Sequence, residues 1–339
     1  MPFKPVSIRG TRREIGAALG KLARPIMEPY LDQSRTWQAL RPWRGHSYLE
    51  SLADTAQLRL PAIWEELEGL AEGLRLPLDD VLLWHCRGDL LHKTTDGCTS
   101  IALRDAGGVR WIAHNEDGDP WLYGRCQLVD VQPDDAPGYV SFYYPGSLPG
   151  HTFAANRAGL VQTINNLRIR QRHAGVPRML LARAVLDCAT LPDALTLLRD
   201  APRAGGFHHL LGSAHDQRLY SVEAAPAACS VLEIGRGYVH TNHLVHAGST
   251  RQAQVVSDSS RARHDKAERA LDVWGGMAQP SDLIALLHDD GGPLPILRRA
   301  PDDPDDENTL ATACFRMDGG QVTLAVHDRQ ELPAQTIVL

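Results

Sequence analysis

Through most of the first ninety positions, apolar residues recur at three- and four-residue steps. TRREIGAALGKLARPIMEPYL (11–31) and SLADTAQLRLPAIWEELEGLAEGL (51–74) each predict an amphipathic helix. LPLDDVLLWHCRGDLLHK (76–93) predicts another, with Pro77 at its start and Asp79 or Asp80 near its first turn. After Cys98 the period shortens to two. In TSIALRDAGGVRWIAHNED, two β-branched and aromatic runs flank Asp105 to Gly108, a hairpin signal. The same grammar returns at GHTFAANRAGLVQTINNL, FHHLLGSAHDQRLYSVEAA, ACSVLEIGRGYVHTN and LATACFRMDGGQVTLAVHD. Helices interrupt at VPRMLLARAVLDCATLPDALTLLRDA, SSRARHDKAERALDVWGG and PSDLIALLHDD. Antiparallel strands with helices in separate blocks imply stacked α and β layers, an α+β architecture, instead of alternating βαβ units.

Composition narrows the function classes. The 339 residues are 43% hydrophobic and 22% charged, enough to build a sizeable core. A net charge of -6 argues against a broad nucleic-acid partner. No run approaches a membrane span, and the first residues carry no apolar secretory core, so a cytoplasmic location is expected. The six cysteines (Cys86, Cys98, Cys126, Cys188, Cys229 and Cys314) form no C-x-x-C pair, so neither a disulfide framework nor a zinc knuckle is indicated. No dinucleotide fingerprint or phosphate loop is present, and neither cofactor nor metal is expected. RRAPDDPDDENT (298–309) lacks the spacing of a calcium loop and predicts a solvated acidic loop.

Cys98 sits in TDGCTS, where the period changes. A thiol at such a boundary is most often structural. Gly97 alters that reading, since a residue without a Cβ leaves its carbonyl open to the neighbouring sulfur. Attack there would shift the acyl group from N to S, and hydrolysis would leave Cys98 as a new N-terminus. Its α-amine, titrating near ~7.7–8.0 against ~8.5 for the thiol, could then serve as the thiol's own base. His240 and His243 in HTNH have a spacing that invites a metal reading, but no cysteine or carboxylate nearby completes a set. The adjacent His208 and His209 point to opposite faces of a strand. Asn165 and Asn166 follow the strand VQTI and are candidates to line a pocket.

TDGCTS, AHNED (113–117), FAANRAGLVQTINNL (153–167), GVPRMLLARAVLD (175–187) and HTNH (240–243), taken in this order and spacing, resemble the acyl-coenzyme A:6-aminopenicillanic acid acyltransferase family, self-cleaving N-terminal-nucleophile hydrolases also classed as C45 peptidases. RREIGAALGKLAR (12–24) is similar to that family's opening helix. The resemblance implies a four-layer αββα sandwich, cleavage between Gly97 and Cys98, and a thioester formed on Cys98. It implies a helical segment 1–97 retained beside a catalytic segment 98–339. It places catalytic roles on Asp117, to orient the new amine, and on Asn242, to donate to an oxyanion. Asn165, Asn166, His240 and His243 are the expected substrate-lining residues. The family's late catalytic arginine has no counterpart in DDENTLATACF, where Asn308 stands. The expected partner is a small acyl amide, with acyl-coenzyme A as a further acyl donor; no nucleic acid or membrane partner is expected, and a homo-oligomer is allowed. Two alternatives stay open: an uncleaved thiol hydrolase with His114 as external base, and a non-catalytic small-molecule-binding protein of the same fold.

Overall fold

Thr11 starts the first helix. Its hydroxyl accepts from the Glu14 N–H while the Glu14 carboxylate accepts from the Thr11 N–H, a reciprocal capping box. The computed structural model describes residues 4–91, 97–275, 278–303, 305–328 and 335–339. Helix α1 (Arg12–Gln33) is followed by α2 (Arg35–Leu40), α3 (Ser47–Arg59), α4 (Pro61–Leu74), α5 (Leu78–His85) and α6 (Arg87–Leu90). The single helix expected over 51–74 is two, because Pro61 lacks an N–H and belongs in a first turn. The one expected over 76–93 breaks at Cys86, and 92–93 lie outside the described residues. Helices α1 and α4 cross in backbone contact. A methyl group at Gly16 would overlap the Glu66 carbonyl, and one at Gly73 the Ala17 carbonyl.

Two sheets carry the rest. The eight-stranded sheet runs β1 (Val6–Gly10), β4 (Gln127–Pro133), β5 (Tyr139–Tyr143), β6 (Phe153–Asn156), β7 (Leu160–Leu167), β8 (Gly206–Ser213), β9 (Asp216–Ala224), β10 (Cys229–Glu233). The six-stranded sheet runs β11 (Gly237–His240), β2 (Cys98–Arg104), β3 (Arg110–Gly118), β12 (Asn308–Asp318), β13 (Gln321–His327), β14 (Gln335–Val338). The segment ACSVLEIGRGYVHTN is therefore not a hairpin. Its halves enter different sheets, β11 pairing with β2, while Ile234 between them is buried in the core that joins the sheets.

Alternation along the strands sorts the cores. Ala102, Ile112, Phe142, Phe153, Leu210 and Phe315 meet between the sheets. Opposite faces pack on helices: Val129, Tyr139 and Val222 under α1–α6, α7 (Arg178–Val185) and α8 (Leu191–Asp200); Ile101, Ala113 and Cys314 under α9 (Asp258–Trp274) and α10 (Pro280–Leu287). The order helix, sheet, sheet, helix is the expected αββα sandwich.

Residues 1–97 are woven into this sandwich. β1 pairs in parallel with β4 at the edge of the larger sheet, a strand the helical reading of the N-terminal segment does not anticipate. Glu66 on α4 accepts two bonds from Arg183 on α7, at 2.9 and 2.8 Å, both side chains being fully buried. Arg12 reaches Glu66 at 3.4 Å and Asp187 at 3.0 Å. Each buried charge here has an opposite partner, which is the condition for keeping it inside.

Candidate active site

Cys98 is the first residue of β2 and is buried. Hydrogen bonds hold the peptide linking it to Gly97 at both ends. The Asp117 N–H donates to the Gly97 carbonyl at 2.9 Å. The Cys98 N–H donates to Asn242 Oδ1 at 3.0 Å. Side-chain space explains the glycine: a Cβ at position 97 would overlap a Glu307 carboxylate oxygen and lie 2.7 Å from Arg298 Nη1. Gly97→Ala should therefore cost about 1–3 kcal/mol in stability by overpacking and displace the peptide from this grip. Urea titration and the yield of cleaved chain read the two effects; unchanged midpoint and unchanged yield would refute it.

Arg263 completes the first ring of contacts, and the sequence reading did not anticipate it. From α9 it donates to the Cys98 carbonyl at 2.6 Å, to Thr99 Oγ1 at 2.8 Å and to Asn242 Oδ1 at 2.8 Å. Burial pulls its pKa down. Two donors converge on Asn242 Oδ1, so that atom must be the acceptor. Its amide Nδ2 donates to the Asn166 carbonyl at 3.2 Å. Asn242 is thus first an acceptor for the Cys98 nitrogen. Its expected role as an oxyanion donor rests on the second hydrogen of Nδ2. A signal for Arg263 was present in the chain. Ser260, Arg263 and Ala267 share the buried stripe of α9, and a guanidinium on such a stripe needs buried acceptors.

Asp117 lies on the opposite face of β3 from Glu116. Its Oδ1 accepts from Thr309 Oγ1 at 2.6 Å, and among the described residues Oδ2 has no hydrogen-bond partner. Burial pushes this carboxyl up, against the pull of Arg298 and Arg263. Those two arginines place positive charge beside Asp117 where Asn308 cannot; the Asn308 side chain accepts from the Ala300 N–H. The stretch 298–309 is not the solvated loop expected. Arg298, Asp303 and Glu307 are buried, because Arg298 pairs with Asp303 at 2.7 Å, with Asp305 at 2.9 Å and with Glu307.

Burial pushes Glu307 up to about 7, despite the opposing pull of Arg298 and Arg168. An unfolded glutamate titrates near ~4.3. Between those values the folded chain holds the extra proton, so stability falls as pH rises toward 7. The loss should reach about 1–3 kcal/mol between pH ~5 and ~8. Glu307→Gln should flatten that part of the slope. Parallel urea-midpoint profiles for the two proteins would show that Glu307 does not titrate there.

Between the sheets, the thiol meets a polar cluster. Cys98 Sγ is 3.9 Å from Glu116 Oε2; His114 Nε2 is 3.0 Å from the same oxygen, and Tyr144 donates to Glu116 Oε1 at 2.8 Å. His114 Nδ1 is bonded to Ser100 Oγ at 2.8 Å, and burial holds this histidine at about 3. Asn165 does face this layer, with Oδ1 2.9 Å from His208 Nδ1. His240 stacks on His208 with ring centroids 3.5 Å apart and is bonded to Glu223 at 3.0 Å. The Asn166 side chain points the other way, to Arg178 at 2.5 Å, and only its carbonyl touches Asn242. His243 is tied to Ser260 at 2.8 Å. Thus Asn165 and His240 belong to the buried inter-sheet network, while Asn166 ties β7 to α7 and His243 ties its loop to α9. A cleft of about 480 Å³ opens at the end of β3, lined by Tyr30, Arg35, Asp119, Trp121, Asp305 and Asp306.

An αββα sandwich with a thiol at the head of an inner strand is the N-terminal-nucleophile hydrolase fold, and the chain's family and relatives make it an enzyme that acts on carbon–nitrogen bonds or transfers acyl groups. The sequence profile of the acyl-coenzyme A:6-aminopenicillanic acid acyl-transferase family matches residues 104–331, and the chain belongs to that family. It is 26% identical to the beta-alanyl-dopamine/carcinine hydrolase of Drosophila melanogaster, over 93% of this chain and 90% of that one. It is 25% identical to the 40 kDa form of the acyl-coenzyme A:6-aminopenicillanic-acid-acyltransferase of Emericella nidulans, over 98% and 95% respectively. Among solved structures, a variant of conjugated bile acid hydrolase from Clostridium perfringens superposes with a TM-score of 0.49 at 10% identity, over 71% of this chain and 92% of that one. Penicillin V acylase from Agrobacterium tumefaciens gives 0.43 at 16%, over 71% and 86%. No helix among the described residues is long and apolar enough to cross a membrane.

Proposed function

We propose that this chain is an amide hydrolase or acyltransferase activated by its own cleavage, with Cys98 as N-terminal nucleophile. The two-sided grip on the Gly97–Cys98 peptide carries the reading. Held amide and neighbouring thiol are the arrangement an intramolecular attack requires. Sγ attacks the Gly97 carbonyl carbon, and the Asp117 N–H, already on that oxygen, stabilises the developing oxyanion. The C–N bond breaks, the nitrogen takes up a proton, and water hydrolyses the resulting thioester to free the Gly97 carboxylate. The new α-amine stays against Asn242 Oδ1. In turnover it accepts the thiol proton as sulfur attacks the substrate carbonyl, and returns a proton to the leaving amine. Arg263 fixes Asn242, and Asp117 balances the positive charge around the amine.

The competing route through His114 as external base is disfavoured by the geometry. Its Nε2 faces Glu116 and its Nδ1 faces Ser100, and a group held at about 3 accepts protons poorly at neutral pH.

Cleavage yields fragments 1–97 and 98–339, which remain associated through the strand β1 and the Glu66–Arg183 pair. Denaturing mass spectrometry of active enzyme should show two polypeptides, of 97 residues and the remaining 242 of 339. Activity residing wholly in an intact chain would sink the proposal. The substrate is a small acyl amide. Asp119, Asp305 and Asp306 with Trp121 in the neighbouring cleft suit a substrate bearing an ammonium group, as a β-alanyl amide does. A panel pairing β-alanyl amides with their uncharged propionyl analogues tests that preference.

A further inference from the structure

Cys98, His114 and Glu116 are three ligand types on one face of the smaller sheet. Residues 98 and 116 are cross-strand partners in the β2–β3 ladder, and 114 lies two residues along β3. Their ligand atoms all fall within 4.8 Å of one another, with Sγ to Oε2 at 3.9 Å and Nε2 to Oε2 at 3.0 Å. A tetrahedral zinc ion with one thiolate, one imidazole and one carboxylate sets its ligand atoms roughly 3.3–3.6 Å apart, given bonds of about 2.0–2.3 Å. The S–O and N–O distances are within a few tenths of an ångström of those values, and the sulfur and the imidazole nitrogen, within 4.8 Å of each other, need to close by at most about 1.3 Å to share an ion.

The surroundings are those of a built site as well. Ser100 Oγ fixes the far nitrogen of His114 at 2.8 Å, and itself meets Thr163 Oγ1 at 3.2 Å. Tyr144 donates to the far oxygen of Glu116 at 2.8 Å. The Phe153 ring lies edge-on to His114, with centroids 5.9 Å apart. Outer partners of this kind set the tautomer and direction of ligating groups. Here they hold His114 Nε2 against Glu116 Oε2, the oxygen that also meets the sulfur.

We infer that this trio is a binding site for a thiophilic divalent cation of the zinc type, with a fourth position for water, and that such an ion silences Cys98. Binding removes the thiol proton to solvent and forms a metal–sulfur bond, so the sulfur lone pair needed for attack is occupied. The ion would thus arrest self-cleavage in the precursor and inhibit turnover in the cleaved enzyme. Only this consequence rests on the function proposed above; the binding itself stands on the geometry.

Cobalt(II) separates the two. Added at one equivalent to the full-length protein, purified without chelator, it should give thiolate-to-cobalt charge-transfer absorption together with tetrahedral ligand-field bands. Cys98→Ser should lose the charge-transfer band. Glu116→Gln and His114→Gln should each weaken binding by about tenfold or more. Zinc should displace the cobalt and, added during expression or refolding, lower the yield of cleaved chain, with chelator restoring it. A missing thiolate band in the wild-type protein, or a band that survives Cys98→Ser, overturns the site. So does equal affinity in Glu116→Gln and wild type. If the chain never cleaves, the spectral titration still reads the metal site, and the two ideas fail independently.

Discussion

In the Cys98→Ala protein we expect a single uncleaved chain and no measurable amide turnover. In the proposed mechanism the sulfur is the attacking atom in both reactions, so removing it leaves only the binding groups, a loss of roughly 10⁴–10⁶ in rate. The fold should survive, because alanine retains the β2–β3 pairing, the Cys98 N–H bond to Asn242 and the carbonyl bond to Arg263. Circular dichroism and a urea midpoint confirm that the loss is chemical. Cys98→Ser is the informative companion. A hydroxyl can make the same acyl shift, so slow cleavage is expected over hours, followed by poor turnover, since an alcohol is harder to deprotonate than a thiol. Alanine protein that turns over near the wild-type rate would remove Cys98 from the mechanism.

Arg263→Met should lower kcat by about two to three decades while changing KM little. The guanidinium touches the Cys98 carbonyl, Thr99 and Asn242 Oδ1 at once, which locks the amide oxygen of Asn242 toward the Cys98 nitrogen. Without it Asn242 can rotate, and the grip on the Cys98 nitrogen loosens in precursor and cleaved enzyme alike. Arg263 acts through Asn242 and is a positioning residue, so Arg263→Lys should rescue only part of the rate. An ammonium keeps the charge but cannot span three acceptors in a planar fork. The pH profile distinguishes this from mere destabilisation. Losing a buried cation beside the amine raises the amine's pKa, and the acidic limb of kcat/KM should move to higher pH in material confirmed as cleaved. An unshifted limb with full activity in Arg263→Met would make Arg263 purely structural.

Local grammar was legible in the sequence where partner and signal are neighbours. The hairpins at 98–118 and 308–327 close around glycine turns, with Gly108 and Gly319 both at positive φ. Helix α1 starts at a capping box written within four residues. Features whose partners are remote stayed hidden. The pairing of VSIRG with β4 joins positions more than a hundred residues apart, and five residues followed by a helix give little alternation to read. The run DDPDDE looks solvated on paper because each acid's own neighbours are acids. Arg298, a few residues upstream, pairs with Asp303, Asp305 and Glu307 only once the loop has closed over Gly97. The same holds at the site. Cys98 is proposed from its neighbours, and Asp117 and Asn242 from the resemblance. Arg263 comes from a helix 160 residues downstream whose contacts exist only in three dimensions.

Under the proposed cleavage at position 97, the charge network joining Glu66 and Arg12 to Arg183 and Asp187 changes its molecularity. Before the cut, a chain that opens this interface keeps its two halves tethered, and reclosure is a first-order event. Afterwards the same opening releases two molecules, and reassembly is second order. The unfolding midpoint of the cleaved enzyme therefore rises with protein concentration, whereas that of the Cys98→Ala chain does not. Dilution, harmless to the intact chain, would act as a denaturant on the cut one.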